Sequence, residues 1–352
     1  MSQQSLENGF FSIRRSGRCL GWVLAGLWVG SAQAQGKIVL RVSDQFPPGH
    51  FVSDSARFWM AEVEKQLGGN IKFEYYPNEQ LGKARDQPSL LQSGVVDISV
   101  IVPSYVSDKM PYSAAAELPG MISPKSSCIG SLAYSKQSRE GFFAKNDYEP
   151  NGVRMLWGFA YPPYQINLLK KRLTAIKDVE GLKVRVIGSG MDQLLRDLKA
   201  VPVRIPLPDL FESASRGTVD GLMFTYAGVY AYKLDSLVKS VTKGGNFGTA
   251  VGGYAAGEKR WKELPADLRK ALVEAGEQAT RHLCARMDRD EIEAEKKLLA
   301  QGVTLMTPSA AEQQELDRIF GATVSEWAAM MDKRGKLGTE AVRAFKAAVA
   351  GQ

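Results

Sequence analysis

The chain is 352 residues long, 44% hydrophobic and 24% charged, which supplies apolar material for two packed cores and excludes disorder or a fibre. Its 45 Lys and Arg stand against 38 Asp and Glu, a surplus spread too thinly to mark a nucleic-acid surface. Three cysteines and two histidines, well separated, cannot build a disulfide framework, a zinc knuckle or a common hydrolase or nucleotidase motif. That poverty of catalytic groups points to binding.

Residues 1–34 read as a secretory signal: Arg14, Arg15 and Arg18, an apolar run from Cys19 to Gly30, and the small-residue cleavage site Ala32-Gln33-Ala34. The run is too short to span a bilayer, and nothing later in the chain is long and apolar enough to do so. No aliphatic residue stands three places before Cys19, so a free protein rather than a lipid-anchored one is expected. Arg14-Arg15 lacks the apolar residue expected two places on in a twin-arginine signal, which favours ordinary secretion. Cys128 and Cys284 then sit in an oxidising space, and the sequence leaves their pairing open.

From Ile38 the alternating IVLRV predicts a strand, followed by a turn-rich loop over 43–50. A helix over 53–67 carries Ala56, Trp59, Met60, Val63 and Leu67 on one face behind a serine cap. Residues 71–75 form a second strand, 83–93 a helix, and 94–102 a third strand of the continuous apolar type found in buried parallel sheets. The aromatic run Phe159-Ala160-Tyr161-Pro162-Pro163-Tyr164 is a crossing segment, a pocket wall or a surface hairpin.

The same grammar follows again: strand 182–186, a turn at Gly188-Ser189-Gly190, helix 191–200, strand 201–205, a helix to Arg216, and an apolar strand ending at Phe224. Gly94-Val95-Val96-Asp97 and Gly217-Thr218-Val219-Asp220 hold the same place in the two copies, each ending a helix at a glycine. Pro265 opens a helix that runs to about Ala300, 303–306 is a short strand, and Ser309-Ala310-Ala311-Glu312 is a capping box starting another helix. The charged stretch 286–297 predicts a solvated helix face.

Strands alternating with helices predict an α/β protein of two related domains. Lobe I is placed at 35–155, lobe II at 156–255, and a mostly helical 256–352 crosses and braces both, part of it returning to lobe I. Ligands of such sheets bind beyond the carboxyl ends of the strands, so two facing lobes make a cleft.

The run Asp178-Val179-Glu180-Gly181-Leu182-Lys183-Val184-Arg185-Val186, with Gly217-Thr218-Val219-Asp220-Gly221 behind it and Tyr76-Pro77-Asn78-Glu79-Gln80-Leu81-Gly82 ahead, resembles the solute-binding subunits of tripartite ATP-independent periplasmic (TRAP) transporters. The similarity covers residues 36–340. It implies a two-domain periplasmic-binding-protein-like fold of type II, with mixed, mainly parallel sheets. It also implies a periplasmic receptor, not an enzyme, that hands an organic acid to a sodium-driven membrane permease.

In that family the arginine of the G-L-K-x-R strand, here Arg185, forms a two-bond salt bridge with the ligand carboxylate, whose geometry a planar guanidinium matches. The departures matter as much. Where relatives carry a second arginine this chain has Tyr161-Pro162-Pro163-Tyr164, and a ligand-binding asparagine falls near Phe224. A cation-holding Trp-Glu pair falls near Tyr226-Ala227, so neither metal nor cofactor is expected. One cation among several rings predicts a monocarboxylate with an apolar or aromatic body.

The remaining cleft candidates are Gln45, Phe46 and His50 in the first loop, Ser104 and Tyr105 after the third strand, Phe159 and Tyr164, then Phe224, Thr225 and Tyr226, and finally Asn246 and Phe247. His50 serves equally well as a helix cap. Two other readings stay open: a secreted enzyme that holds an anion at Gly188-Ser189-Gly190, although Gln193 stands where a dinucleotide fingerprint needs glycine, and a receptor for a membrane sensor kinase. The C-terminal helix permits a monomer or a dimer.

Overall fold

The computed structural model describes residues 37–352; the signal expected over 1–34 lies outside them. The first stretch runs β1 (Ile38–Ser43), α1 (Phe51–Gln66), β2 (Ile71–Tyr76), α2 (Gln87–Ser93), β3 (Ile98–Ile101), α3 (Ser127–Arg139) and β4 (Val153–Ala160). The second runs β5 (Gln165–Leu168), β6 (Lys183–Val186), α4 (Ser189–Asp197), β7 (Val201–Arg204), α5 (Leu210–Ser215), β8 (Gly221–Phe224), α6 (Tyr226–Ala231) and β9 (Ser240–Thr242). The chain ends with β10 (Val251–Gly257), α7 (Glu258–Glu263), α8 (Ala266–Ala300), β11 (Thr304–Met306), α9 (Ala310–Lys333) and α10 (Gly338–Ala350).

Two mixed sheets result. The first has the order β2-β1-β3-β10-β4 and the second β11-β9-β5-β8-β6-β7. In the first, β1 is parallel to β2 and β3 while β10 runs antiparallel to β3 and β4. In the second, β6 is parallel to β7 and β8, and β5 antiparallel to β8 and β9. This is the type II two-domain α/β architecture.

The sheets divide the chain differently from the expected boundaries at 155 and 255. β4 stays in the first sheet to Ala160, and β10 returns there from Val251. The aromatic run is therefore a crossing segment, not a surface hairpin. Tyr161 and Tyr164 are buried within it. It runs beside the returning crossing: Tyr161 N donates to Ala250 O (2.9 Å), Tyr164 N to Gly248 O (2.7 Å), and Gln165 Nε2 to Gly245 O (2.6 Å). Two hydrogen-bonded strands of chain thus cross side by side between the lobes.

Three local expectations shift. The third strand is only Ile98–Ile101, because Gly94 caps α2 in the left-handed region (φ 71°) and Asp97 is spent on accepting from Arg41 N (2.7 Å) and Arg260 Nε (2.9 Å). Helix α1 begins at Phe51 and is capped by His50, not by a serine. Ser189 and Gly190 lie inside α4, so Gly188-Ser189-Gly190 is a helix start rather than a turn.

Helix α8 braces both lobes, touching α1, α3 and β4 on one side and α6 on the other. Its Gly276 lets it approach β4 closely, since a Cβ there would stand 2.9 Å from that of Trp157. A disulfide from Cys128 to Cys284, with Cα atoms 4.9 Å apart, ties α3 to it. The charged stretch of α8 is not simply a solvated face: Arg286 pairs with Asp54 (2.8 Å), Asp288 accepts from Ser126 Oγ (2.6 Å) and Ser127 N (2.8 Å), and Glu291 accepts from Tyr226 N and Ala227 N, each at 2.9 Å. Ser309 and Glu312 form the expected capping box of α9. No helix among the described residues is long and apolar enough to cross a membrane.

Candidate functional site

Arg185 sits on β6, in register with Val203 of β7 and Leu222 of β8, and its side chain is completely buried. Its Nε donates to Ile205 O at 2.9 Å, which fixes the plane of the guanidinium. Nη1 and Nη2 are buried and complete no hydrogen bond among the described residues, although the guanidinium stands close enough to the Tyr164 hydroxyl to offset part of the burial that raises its pKa. The guanidinium carbon lies 5.4 Å from the ring centre of Phe224 on β8, a cation–π contact. A buried cation costs several kcal/mol of desolvation unless it is paired. The two outer amino groups are therefore a strong, preoriented demand for an anion.

Beside Arg185 six aromatic rings close on one another. His50 meets Phe51 (4.1 Å between ring centres), Phe51 meets Tyr161 (5.6 Å) and Tyr161 meets Tyr164 (6.4 Å). Tyr164 meets Phe224 (5.8 Å), Phe224 meets Tyr232 (5.9 Å), and Tyr232 returns to His50 (5.6 Å). His50 and Phe51 come from the loop and helix after β1, Phe224 and Tyr232 from β8 and the end of α6, and Tyr161 and Tyr164 from the segment that crosses between the sheets. The ring is complete only when the lobes meet.

The loop that delivers His50 is pinned by Asp44 at the end of β1. Its carboxylate accepts from Phe46 N (2.8 Å), Ser53 Oγ (3.1 Å) and Tyr254 OH (2.6 Å), and from Tyr75 OH. Burial pushes the Asp44 carboxyl above the usual range, against the pull of those donors. Phe46 stacks on the His50 ring at 4.5 Å. His50 Nδ1 accepts from Val52 N at 3.2 Å, and burial, with the Arg286 charge adding to it, drives the imidazole pKa down to about 3. The ring is neutral at ordinary pH with its proton on Nε2. His50 Nε2, both amide atoms of Gln45 and the Tyr161 hydroxyl are buried without a partner among the described residues.

A cleft of about 450 Å³ lies between the lobes, lined by Ser104 and Tyr105 on one side and Ile187, Ile205 and Pro206 on the other. Arg185 does not line it but is tied to its wall through Ile205 O. Tyr105 OH accepts from Leu207 N at 3.2 Å across the gap. Ser104 Oγ donates to Glu117, whose carboxyl also accepts from Val251 N (3.3 Å) and is pushed up to about 7 by burial.

Of the expected site residues, the structure gathers Arg185, Phe224, Tyr164, Phe46 and His50, with Gln45 beside them in the loop. Ser104 and Tyr105 stand at the cleft. The others do different work. Thr225 caps α6 by accepting from Gly228 N (2.9 Å), Tyr226 OH donates to Thr242 O, and Asn246 Nδ2 donates to Ile122 O (2.7 Å). Phe247 packs on Phe320 at 5.6 Å, and Phe159 lies between Trp157 and Tyr161 in the core. Phe51, Tyr161 and Tyr232 were not among the expected contacts. Tyr161 was visible within the aromatic run; Tyr232, past the end of a short helix, carries no sequence signal. Among the described residues no group of three or more His, Cys, Asp or Glu side chains gathers to hold a metal ion.

Two sheets are thus joined around one fully buried arginine whose outer amino groups are unpartnered among the described residues. The chain matches the bacterial extracellular solute-binding proteins, family 7, over residues 42–330, and it belongs to that family. It is similar to a TRAP solute binding protein from Rhodoferax ferrireducens T118, solved with copurified benzoate: 27% identity, 89% of this chain and 98% of that one covered, TM-score 0.79. A marine metagenome TRAP solute binding protein specific for aromatic acid ligands, solved with 3-hydroxybenzoate, is 24% identical, with 90% and 99% covered and a TM-score of 0.81. The C4-dicarboxylate-binding periplasmic protein DctP of Rhodobacter capsulatus is 24% identical over 322 residues, 89% of this chain and 91% of that protein. The chain is a substrate-binding subunit of the TRAP class and not an enzyme, which disposes of the secreted-enzyme reading.

Proposed function

We propose that this receptor works in the periplasm, binds a monocarboxylate with an aromatic body, and delivers it to a sodium-coupled membrane permease. The observation that carries the reading is Arg185: a fully buried guanidinium, anchored through Nε, with Nη1 and Nη2 side by side and unpartnered. A carboxylate meets both with charge-assisted bonds in one plane. The six rings beside it suit a flat apolar body. Within the ring itself a second carboxylate meets only the neutral His50, since Lys83, Arg85 and Arg204 line the neighbouring cleft instead. The benzoate bound by the Rhodoferax relative supports the same class.

The test is calorimetric titration of the purified chain with benzoate, phenylacetate, mandelate, succinate and galacturonate. The aromatic monocarboxylates should bind most tightly, and Arg185→Ala should weaken them by roughly 30-fold to several thousand-fold. Binding of none of these acids, or unchanged affinity in Arg185→Ala, defeats the reading. For the partner, neighbouring genes for a small four-helix and a large multi-span membrane protein support the permease, whereas a sensor kinase gene in their place supports signalling.

A further inference from the structure

The Arg185 fork accounts for the carboxylate, but it leaves unexplained three uncharged side chains, two in the loop after β1 and one in the crossing segment. Gln45, His50 and Tyr161 are each 3% exposed, and Gln45 Nε2, Gln45 Oε1, His50 Nε2 and Tyr161 OH have no partner among the described residues. Buried polar side chains are nearly always hydrogen-bonded, so several orphans in one place call for an explanation. Poor local packing is not one: Asp44, next in the chain to Gln45, has four hydrogen-bond donors.

Their directions are constrained. His50 Nδ1 is tied back to Val52 N, one ring face is covered by Phe46 at 4.5 Å, and Nε2 therefore points away from the helix it caps. Tyr161 is bracketed by Phe51 and Tyr164, two members of the aromatic ring, and its hydroxyl is close enough to those of Tyr164 and Tyr232 to be perturbed by them. Arg185 lies over Phe224, two places around the ring from both His50 and Tyr161. His50 and Tyr161 thus share one circuit of rings with Phe224, over which the cation lies, and Gln45 precedes Phe46, which stacks on His50.

We infer that Gln45, His50 and Tyr161 form a second polar subsite, which takes an uncharged hydroxyl substituent on the ring of the acid whose carboxylate Arg185 holds. The inference rests on the receptor reading above and narrows its ligand class. A hydroxyl both accepts and donates, and so satisfies an Nε2–H of His50 and the Oε1 of Gln45 together. A carboxylate only accepts, and would leave Gln45 Oε1 against an anion. A methyl group satisfies neither.

The experiment titrates benzoate, 3-methylbenzoate, 3-hydroxybenzoate and 4-hydroxybenzoate into the wild-type chain and into Gln45→Leu, His50→Asn and Tyr161→Phe. Asparagine keeps a capping side chain on α1 without the distal donor, and phenylalanine removes only the hydroxyl. Thermal unfolding confirms that each variant is folded, and any folded one is sufficient. The wild type should favour one hydroxybenzoate over benzoate and over the methyl isostere by about 10-fold or more, since sites built to bond a hydroxyl reject analogues lacking it. The variants should bring that ratio towards one. A wild-type ratio near one for both hydroxybenzoates, as expected if only water fills the subsite, overturns the inference while leaving the carboxylate site standing. A ratio that persists in every folded variant overturns it too. Failure of all four acids to bind sinks the receptor reading as well.

Discussion

If Arg185 holds the acid as proposed, it exchanges stability for binding, and that exchange separates a ligand-holding arginine from a structural one. Its outer amino groups are buried and unpartnered among the described residues, so ligand-free protein carries a desolvated charge that the Ile205 carbonyl and the Phe224 ring repay only in part. Replacing a buried charge with an apolar side chain of similar length is commonly neutral or stabilising. Arg185→Met should therefore raise ligand-free stability by about 1–3 kcal/mol, or leave it unchanged, while abolishing acid binding. Urea denaturation beside calorimetry decides the matter: destabilisation by several kcal/mol would mean that the guanidinium is satisfied inside the protein. Arg185 was singled out through the resemblance its strand motif carries, since an arginine on a strand reads by itself as a solvent-facing edge residue. Tyr232 was not, because its place in the ring depends on how α6 ends against the opposite lobe, a contact no local pattern encodes.

At the level of elements, the same distinction explains which expectations held. The capping box at Ser309 and the long α8 opened by Pro265 are set by neighbouring residues, and both stand where the spacing placed them. The third strand is shorter than its apolar run because Val95 and Val96 only look like strand residues: Val95 is exposed, and the ladder begins only after Asp97 has bonded to Arg41 and Arg260. The serine cap of α1 failed since Ser53 is engaged by Asp44, leaving His50 to cap. Cys128 and Cys284 could not be paired from the sequence, being 156 residues apart; the docking of α3 on α8 joins them. A crosslink closing so long a loop contributes about 2–4 kcal/mol. The double variant Cys128→Ser/Cys284→Ser should lose that much in urea denaturation, with the oxidised wild type as reference. An unchanged midpoint would show that the helix packing alone holds α3 in place.

Across the whole molecule, protons report on how the lobes are packed. Glu117 is held by Ser104 and Val251 of the first lobe, while Gly188 at the start of α4 in the second comes so close that a Cβ there would stand 2.9 Å from its Oε2. This two-sided burial pushes its pKa up to about 7, from an ordinary 4.5. Between those values the unfolded chain has lost its proton and the folded chain still holds one, so stability falls as pH rises from 4.5 to 7 and is then level. The full effect is at most about 3 kcal/mol. Asp147, raised to about 6 by burial, acts in the same direction. His50 acts oppositely: its folded pKa of about 3 lies below the ordinary 6.5, so stability is lost as pH falls through that interval. Glu117→Gln keeps the shape of the protonated acid and removes one slope alone. The difference between variant and wild-type stability, followed by urea denaturation from pH 4 to 8, should rise steadily in favour of the variant up to pH 7 and then level. A difference that stays flat with pH would mean that water reaches Glu117 between the lobes, and that the closed packing around Gly188 does not persist in solution.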